Sequence, residues 1–137
     1  MKIHTEQEMI NFGKNFAKNL NFSNEPIILE LIGDVGAGKT TFTRGLAEGL
    51  GIKEPVTSPS FTISKSYAFD DNKTLTHYDF YRLPDPGLMQ EDLEDSIKNN
   101  HIIIVEWADS VSNILPKNRK KIEIKLNDDN SREVTIL

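Results

Sequence analysis

The sequence predicts an α/β fold, a mixed sheet with helices on both faces and antiparallel strands at its C-terminal end. Three observations lead there. Residues 27–32 (Ile-Ile-Leu-Glu-Leu-Ile) and 101–105 (His-Ile-Ile-Ile-Val) are short, β-branched and nearly all apolar, as strands covered on both faces are. Residues 5–20 and 39–50 carry apolar side chains three and four apart, the period of an amphipathic helix. Residues 122–126 and 134–137 flank Asn127-Asp128-Asp129-Asn130, a turn-rich tetrapeptide that closes an antiparallel pair.

In chain order, Thr5 followed three residues later by Glu8 forms a capping box, and Met9, Phe12, Phe16 and Leu20 make the apolar stripe of the first helix. Residues 21–26 break it before the first buried strand. The second helix starts at Lys39, buries Phe42, Leu46 and Leu50 on one face, and stops at Gly51. Residues 54–59, with two prolines among hydroxyl side chains, read as an irregular loop. Residues 60–69 and 74–81 alternate and are rich in Thr, Tyr, Phe and Ile, so they form a hairpin across residues 70–73. A turn at 84–87, a short acidic helix at 88–97, the second buried strand at 101–105 and a short helix at 108–115 ahead of Pro116 complete the middle of the chain.

Composition limits the function. At 137 residues the whole chain, 1–137, is expected to be one domain. Sixteen Lys+Arg against twenty-one Asp+Glu give a net charge of −5, which disfavours unaided tight binding to nucleic acid. With no cysteine, disulfide scaffolds, thiol catalysis and thiolate zinc sites are excluded. The longest apolar stretches fall far short of the ~20 residues of a membrane span. No hydrophobic run follows Lys2, so the expected compartment is the cytoplasm, without a membrane partner.

The chemistry concentrates between the first buried strand and the second helix. Gly33-Asp34-Val35-Gly36-Ala37-Gly38-Lys39-Thr40 matches G-x-x-x-x-G-K-[ST] in strand–loop–helix context, so a small P-loop NTPase-like fold is expected. Glycines let the backbone wrap an anion, and loop N–H groups and the helix N-terminus face the phosphates. Lys39 supplies charge for the β- and γ-phosphates, and Thr40 a hydroxyl for Mg²⁺. Asn72-Lys73 continues as Thr74-Leu75 without the Asp of a guanine-reading motif, so ATP is favoured over GTP.

Ile102 to Glu106 resembles a Walker B segment, a buried strand delivering an acid at its C-terminal end. Glu106 either holds Mg²⁺ directly or through water, polarises the attacking water, or caps the following helix. In His77-Tyr78-Asp79-Phe80-Tyr81-Arg82, alternation places His77, Asp79 and Tyr81 on one side. That face is either a site, with Asp79 on the water and Arg82 pairing an anion, or a solvated hairpin face. Residues 56–62 fall where a switch loop would sense the γ-phosphate, or are an ordinary polar loop. The basic run Lys117-Asn118-Arg119-Lys120-Lys121 either touches RNA or a partner, or is a solvated loop.

Taken together, Gly-Asp-Val-Gly-Ala-Gly-Lys-Thr-Thr (33–41), Thr-Ser-Pro-Ser-Phe-Thr (57–62), His-Tyr-Asp-Phe-Tyr-Arg-Leu (77–83) and Val-Glu-Trp-Ala (105–108) resemble the bacterial TsaE family, ATPases of tRNA N6-threonylcarbamoyladenosine biosynthesis. The resemblance covers residues 5–136. It implies that Thr40 and Glu106 hold Mg²⁺, that Lys39 and loop residues Gly33 to Thr41 bind ATP, and that Asp79 is needed for hydrolysis. It also implies that Glu6 and Arg132 approach the nucleoside, Arg132 by stacking its guanidinium on the purine. Where the family often reads Gly-Arg, this chain has Ser131-Arg132.

By the same resemblance the partners are a heterodimer of two homologous biosynthesis proteins, one of which modifies adenosine at position 37 of tRNA, so that tRNA is met only through the complex. The expected function is a Mg²⁺-dependent ATPase, weak alone, that drives this complex. The rivals are a small-molecule kinase, for which 137 residues leave little acceptor pocket or lid, and a nucleotide-gated binding module with incidental hydrolysis.

Overall fold

In the computed structural model, residues 1–23, 25–59, 63–70, 72–81, 85–99 and 101–137 are described. Strand β1 (Lys2–Ile3) precedes helix α1 (Glu6–Lys18), strand β2 (Ile27–Ile32) and helix α2 (Lys39–Leu50). Strands β3 (Ser64–Phe69) and β4 (Lys73–Asp79) follow, then helix α3 (Leu88–Asn99), strand β5 (Ile102–Glu106), a 3-10 segment (Ala108–Ile114), and strands β6 (Lys120–Leu126) and β7 (Arg132–Ile136). The strands make one seven-stranded sheet in the order β1-β7-β6-β2-β5-β4-β3. β4 and β5 are parallel, whereas β3–β4, β6–β7 and β1–β7 are antiparallel, so the sheet is mixed and its last strands antiparallel as predicted.

The chain divides into two units. The first comprises Met1–Asn21, Leu31–Thr57 and Lys121–Leu137. Here Thr5 caps α1 by accepting from the Glu8 N–H at 3.0 Å. The Glu8 carboxylate turns back to the His4 N–H at 2.9 Å, one residue earlier than in the usual box. Helices α1 and α2 pack through Met9, Ile10, Phe42 and Leu46, all buried, with Phe12 and Phe16 laying their rings on Phe42 at 5.7 and 5.8 Å. The backbones approach closely where Gly13 and Gly45 face the other helix.

The second unit comprises Phe22–Glu30 and Ser58–Lys120. Its core gathers Ile28, Tyr78, Phe80, Leu93, Ile103, Val105, Ala108, Val111 and Leu115. Tyr78 reaches out of β4 to α3, donating its hydroxyl to Asp92 Oδ2 at 2.7 Å and meeting Ser96; burial pushes this phenol up. Strand β5 is buried from end to end, which explains its apolar run.

The predicted boundaries hold for β2 and α2 and shift by one or two residues at most other ends. β5 starts one residue later and runs through Glu106, and the segment after it is 3-10 rather than α. β1 was not expected, because two residues carry no period. Of the predicted hairpin, residues 60–62 lie outside the described residues, as do Arg82 and the start of the 84–87 turn. Among the described residues, no helix is long and apolar enough to cross a membrane.

Candidate nucleotide site

Within the first unit, β2 ends at Ile32 and the chain turns through residues 33–38 into α2. Gly36 (φ +84°) and Gly38 (φ +116°) both take left-handed backbone that side chains rarely adopt, which is why glycine stands at both. Gly38 is the N-cap of α2 and offers no side-chain acceptor, and the first turn, Lys-Thr-Thr-Phe, carries no acid. α1, by contrast, starts with a capping hydroxyl and two glutamates. The N-terminus of α2 therefore keeps its positive end without a capping side chain or an acid in its own first turn, the electrostatic condition for holding an anion.

Asp34, Val35 and Gly36 are exposed at the loop tip, while Ala37 and Lys39 are buried and Thr40 and Thr41 are half-buried. The Lys39 side chain, only 6% exposed, curls back along the loop, and Nζ donates to the Gly33 carbonyl at 2.6 Å. The loop thus carries an ammonium inside its own curve.

Arg132 and Glu6 belong to this same unit. Arg132, the first residue of β7, lays its guanidinium against the loop from outside: Nε donates to the Ala37 carbonyl at 2.9 Å and Nη2 to the Gly36 carbonyl at 3.4 Å. Nη1 donates to Asn130 at 2.6 Å. These bonds lie in the guanidinium plane, so its two faces are not used by them. Glu6, on the first turn of α1, is exposed and accepts from Arg44 of α2 at 3.1 Å.

Within the second unit, the parallel ladder of β4 and β5 sets Asp79 directly beside Glu106 at the carboxyl ends of both strands. Partners in register share a face, and His77 lies two residues before Asp79 on that face. His77 is fully buried and Glu106 only 4% exposed; His77 Nε2 meets Glu106 Oε2. The alternative of a solvated hairpin face is therefore wrong for His77. Its Nδ1 has no hydrogen-bond partner among the described residues.

Asp79 is half-buried and accepts the Tyr81 N–H on Oδ1 at 2.9 Å. Tyr81 packs on Trp107 with ring centroids 4.7 Å apart, and Trp107 itself sits at φ +54°, a strained backbone for so bulky a residue. Ile63 (φ +67°) is strained likewise, and its carbonyl accepts from the Asp79 N–H at 2.8 Å. Strain thus collects around the two acids. Of the basic run, Arg119 is tied down by Glu30 at 2.7 Å, so that one cation serves the fold.

Alternation along β4 and the acid closing β5 marked Asp79 and Glu106 in the sequence. The His77–Glu106 contact and the grip of Arg132 on loop carbonyls were missed, because each joins residues far apart in the chain.

The family described as "Threonylcarbamoyl adenosine biosynthesis protein TsaE" matches residues 3–134. The chain is 45% identical over 116 residues to the tRNA threonylcarbamoyladenosine biosynthesis protein TsaE of Bacillus subtilis, covering 83% of this chain and 71% of that protein. It is 36% identical over 130 residues to the protein of the same name from Haemophilus influenzae, covering 93% and 82%. The crystal structure of Bacillus subtilis YdiB superposes with a TM-score of 0.81 at 37% identity, covering 99% of this chain and 82% of that one. With nearly the whole length matched in sequence and in fold, the chain belongs to the TsaE family.

Proposed function

We propose that this protein binds and hydrolyses ATP with Mg²⁺, and that hydrolysis drives a multi-protein complex forming N6-threonylcarbamoyladenosine at position 37 of tRNA. The observation that carries the reading is the start of α2: an N-terminus that Gly38 leaves without a capping side chain, behind a glycine loop that holds the Lys39 ammonium inside its curve. The names of the Bacillus and Haemophilus relatives supply the pathway.

In this reading Lys39 moves from the Gly33 carbonyl to the β- and γ-phosphates, exchanging a neutral acceptor for an anionic one. Thr40 and Glu106 are the residues that would hold the metal. A hydroxyl and a carboxylate are hard oxygen donors, and magnesium needs only one or two protein oxygens beside phosphates and water. When bound, the ion neutralises charge spread over the phosphate oxygens. Asp79 orients the attacking water or takes its proton, and Glu106 is positioned by His77. Catalysis is chiefly electrostatic, and with a cation supplied by the partner heterodimer to complete it, turnover by the isolated chain is slow and rises when that heterodimer is present. The protein acts in the cytoplasm.

The test is reconstitution of tRNA modification with the partner heterodimer, with and without this chain. Wild type is expected to bind ATP and support modification. Lys39→Ala should lose both, and Asp79→Ala should keep binding while losing hydrolysis by at least about a hundredfold. Modification that proceeds fully with Asp79→Ala makes hydrolysis incidental. A phosphorylated metabolite in place of free phosphate makes the protein a kinase.

A further inference from the structure

We propose that Arg132 is a positioning residue for the phosphate loop, acting on its backbone and thereby on phosphate, whatever nucleoside is attached; the inference rests on the nucleotide reading above. The side edge of the guanidinium, Nε with Nη2, spans two consecutive carbonyls, those of Ala37 and Gly36. Each carbonyl belongs to a peptide unit flanked by a left-handed glycine, Gly36 or Gly38. Glycine permits a peptide plane to rotate at little steric cost, and a rotated plane would point its carbonyl where an anion has to sit. No peptide bond here is cis, so a carbonyl held toward Arg132 sends the N–H across the same bond to the opposite side. Holding the Ala37 carbonyl therefore aims the Gly38 N–H, at the N-cap of α2, away from the guanidinium.

Arg132 is itself held. Nη1 donates to Asn130 in the β6–β7 turn. That turn is knit by Asn127 N–H to Ser131 O at 2.8 Å, Asn127 Nδ2 to Ser131 Oγ at 3.0 Å, and Ser131 Oγ to Asp129 Oδ1 at 2.5 Å. Asn130 takes φ +67°, a conformation Asn tolerates well among non-glycine residues. Ser131 is thus built into the turn that delivers the guanidinium. A lysine ammonium is a point charge without the planar fork and cannot reproduce this double grip.

The experiment is calorimetric titration of wild type, Arg132→Gln and Arg132→Lys with ATP and, separately, with inorganic tripolyphosphate, both with magnesium. If Arg132 sets the loop, Arg132→Gln weakens both ligands by the same factor, about tenfold, the scale of one charge-assisted hydrogen bond. Arg132→Lys also weakens both. A loss confined to ATP would make Arg132 a nucleoside contact and overturn the inference, as would full affinity in Arg132→Gln, or in Arg132→Lys should the Gln protein not fold. Wild type binding neither ligand overturns the nucleotide reading itself, an outcome distinct from wild-type binding with indifferent variants.

Discussion

At the scale of single residues, His77 and Glu106 form the most deeply buried polar contact of the proposed site. Removing either partner costs the other a hydrogen bond in a nearly dry environment, whereas replacing both by apolar groups removes the mismatch. His77→Leu is expected to destabilise the protein by about 1–3 kcal/mol, and Glu106→Leu by a similar amount. The double variant should cost less than the sum by about 1 kcal/mol or more, while remaining inactive. Urea unfolding of the four proteins measures this, and strict additivity would refute the coupling. The pair also marks the limit of what could be read in advance. Alternation put His77 and Asp79 on one face, and the end of an apolar run singled out Glu106. Their meeting depends on the parallel register of β4 with β5 across 29 residues, which no local pattern encodes. Arg132 is a stronger case, since its loop partner Ala37 is 95 residues away.

At the scale of elements, legibility followed periodicity. β2 and α2 matched their predicted bounds because one is a continuous apolar run and the other a periodic stripe ending at Gly51, which sits at φ +87°. β1 has too few residues to show a period, and the 3-10 segment has too short a stripe to tell it from an α-helix. The close approach of α1 and α2 was also invisible, since Gly45 in a helix reads only as a weak helix former. A Cβ there would lie 2.2 Å from the Ile10 carbonyl oxygen and 2.8 Å from its Cα, both rigid backbone. Gly45→Ala gains helix propensity of about 1 kcal/mol and forces the helices apart at about 1–3 kcal/mol, locally more for backbone contacts. The expected result is a lower melting temperature by several degrees; a rise would show that the helices separate freely.

At the scale of the whole molecule, the −5 charge suits the proposed role, in which tRNA is met through partners, and the acid side of the pH–stability curve is set by carboxylates whose titration folding shifts. Asp129 is one: hydrogen bonds from Ser131 first, then Lys2, hold its carboxyl well below the ordinary range. A group depressed in the folded state contributes stability above its unfolded value, near ~3.9, and loses it as pH falls toward the folded value. The melting difference between wild type and Asp129→Asn should therefore be present at neutral pH and narrow below pH ~4; a constant difference would show that Asp129 does not titrate in this way. The order of synthesis gives the grip of Arg132 a further meaning. The glycine curve emerges from the ribosome early, yet the cation that fastens its carbonyls is not translated until 95 residues after Ala37. At ~5–20 residues per second, that leaves a delay of about 5–20 s. Throughout it a nascent chain carries the loop without its fastening, so under the proposed role of Arg132 a competent loop would have to wait for the strand that bears it.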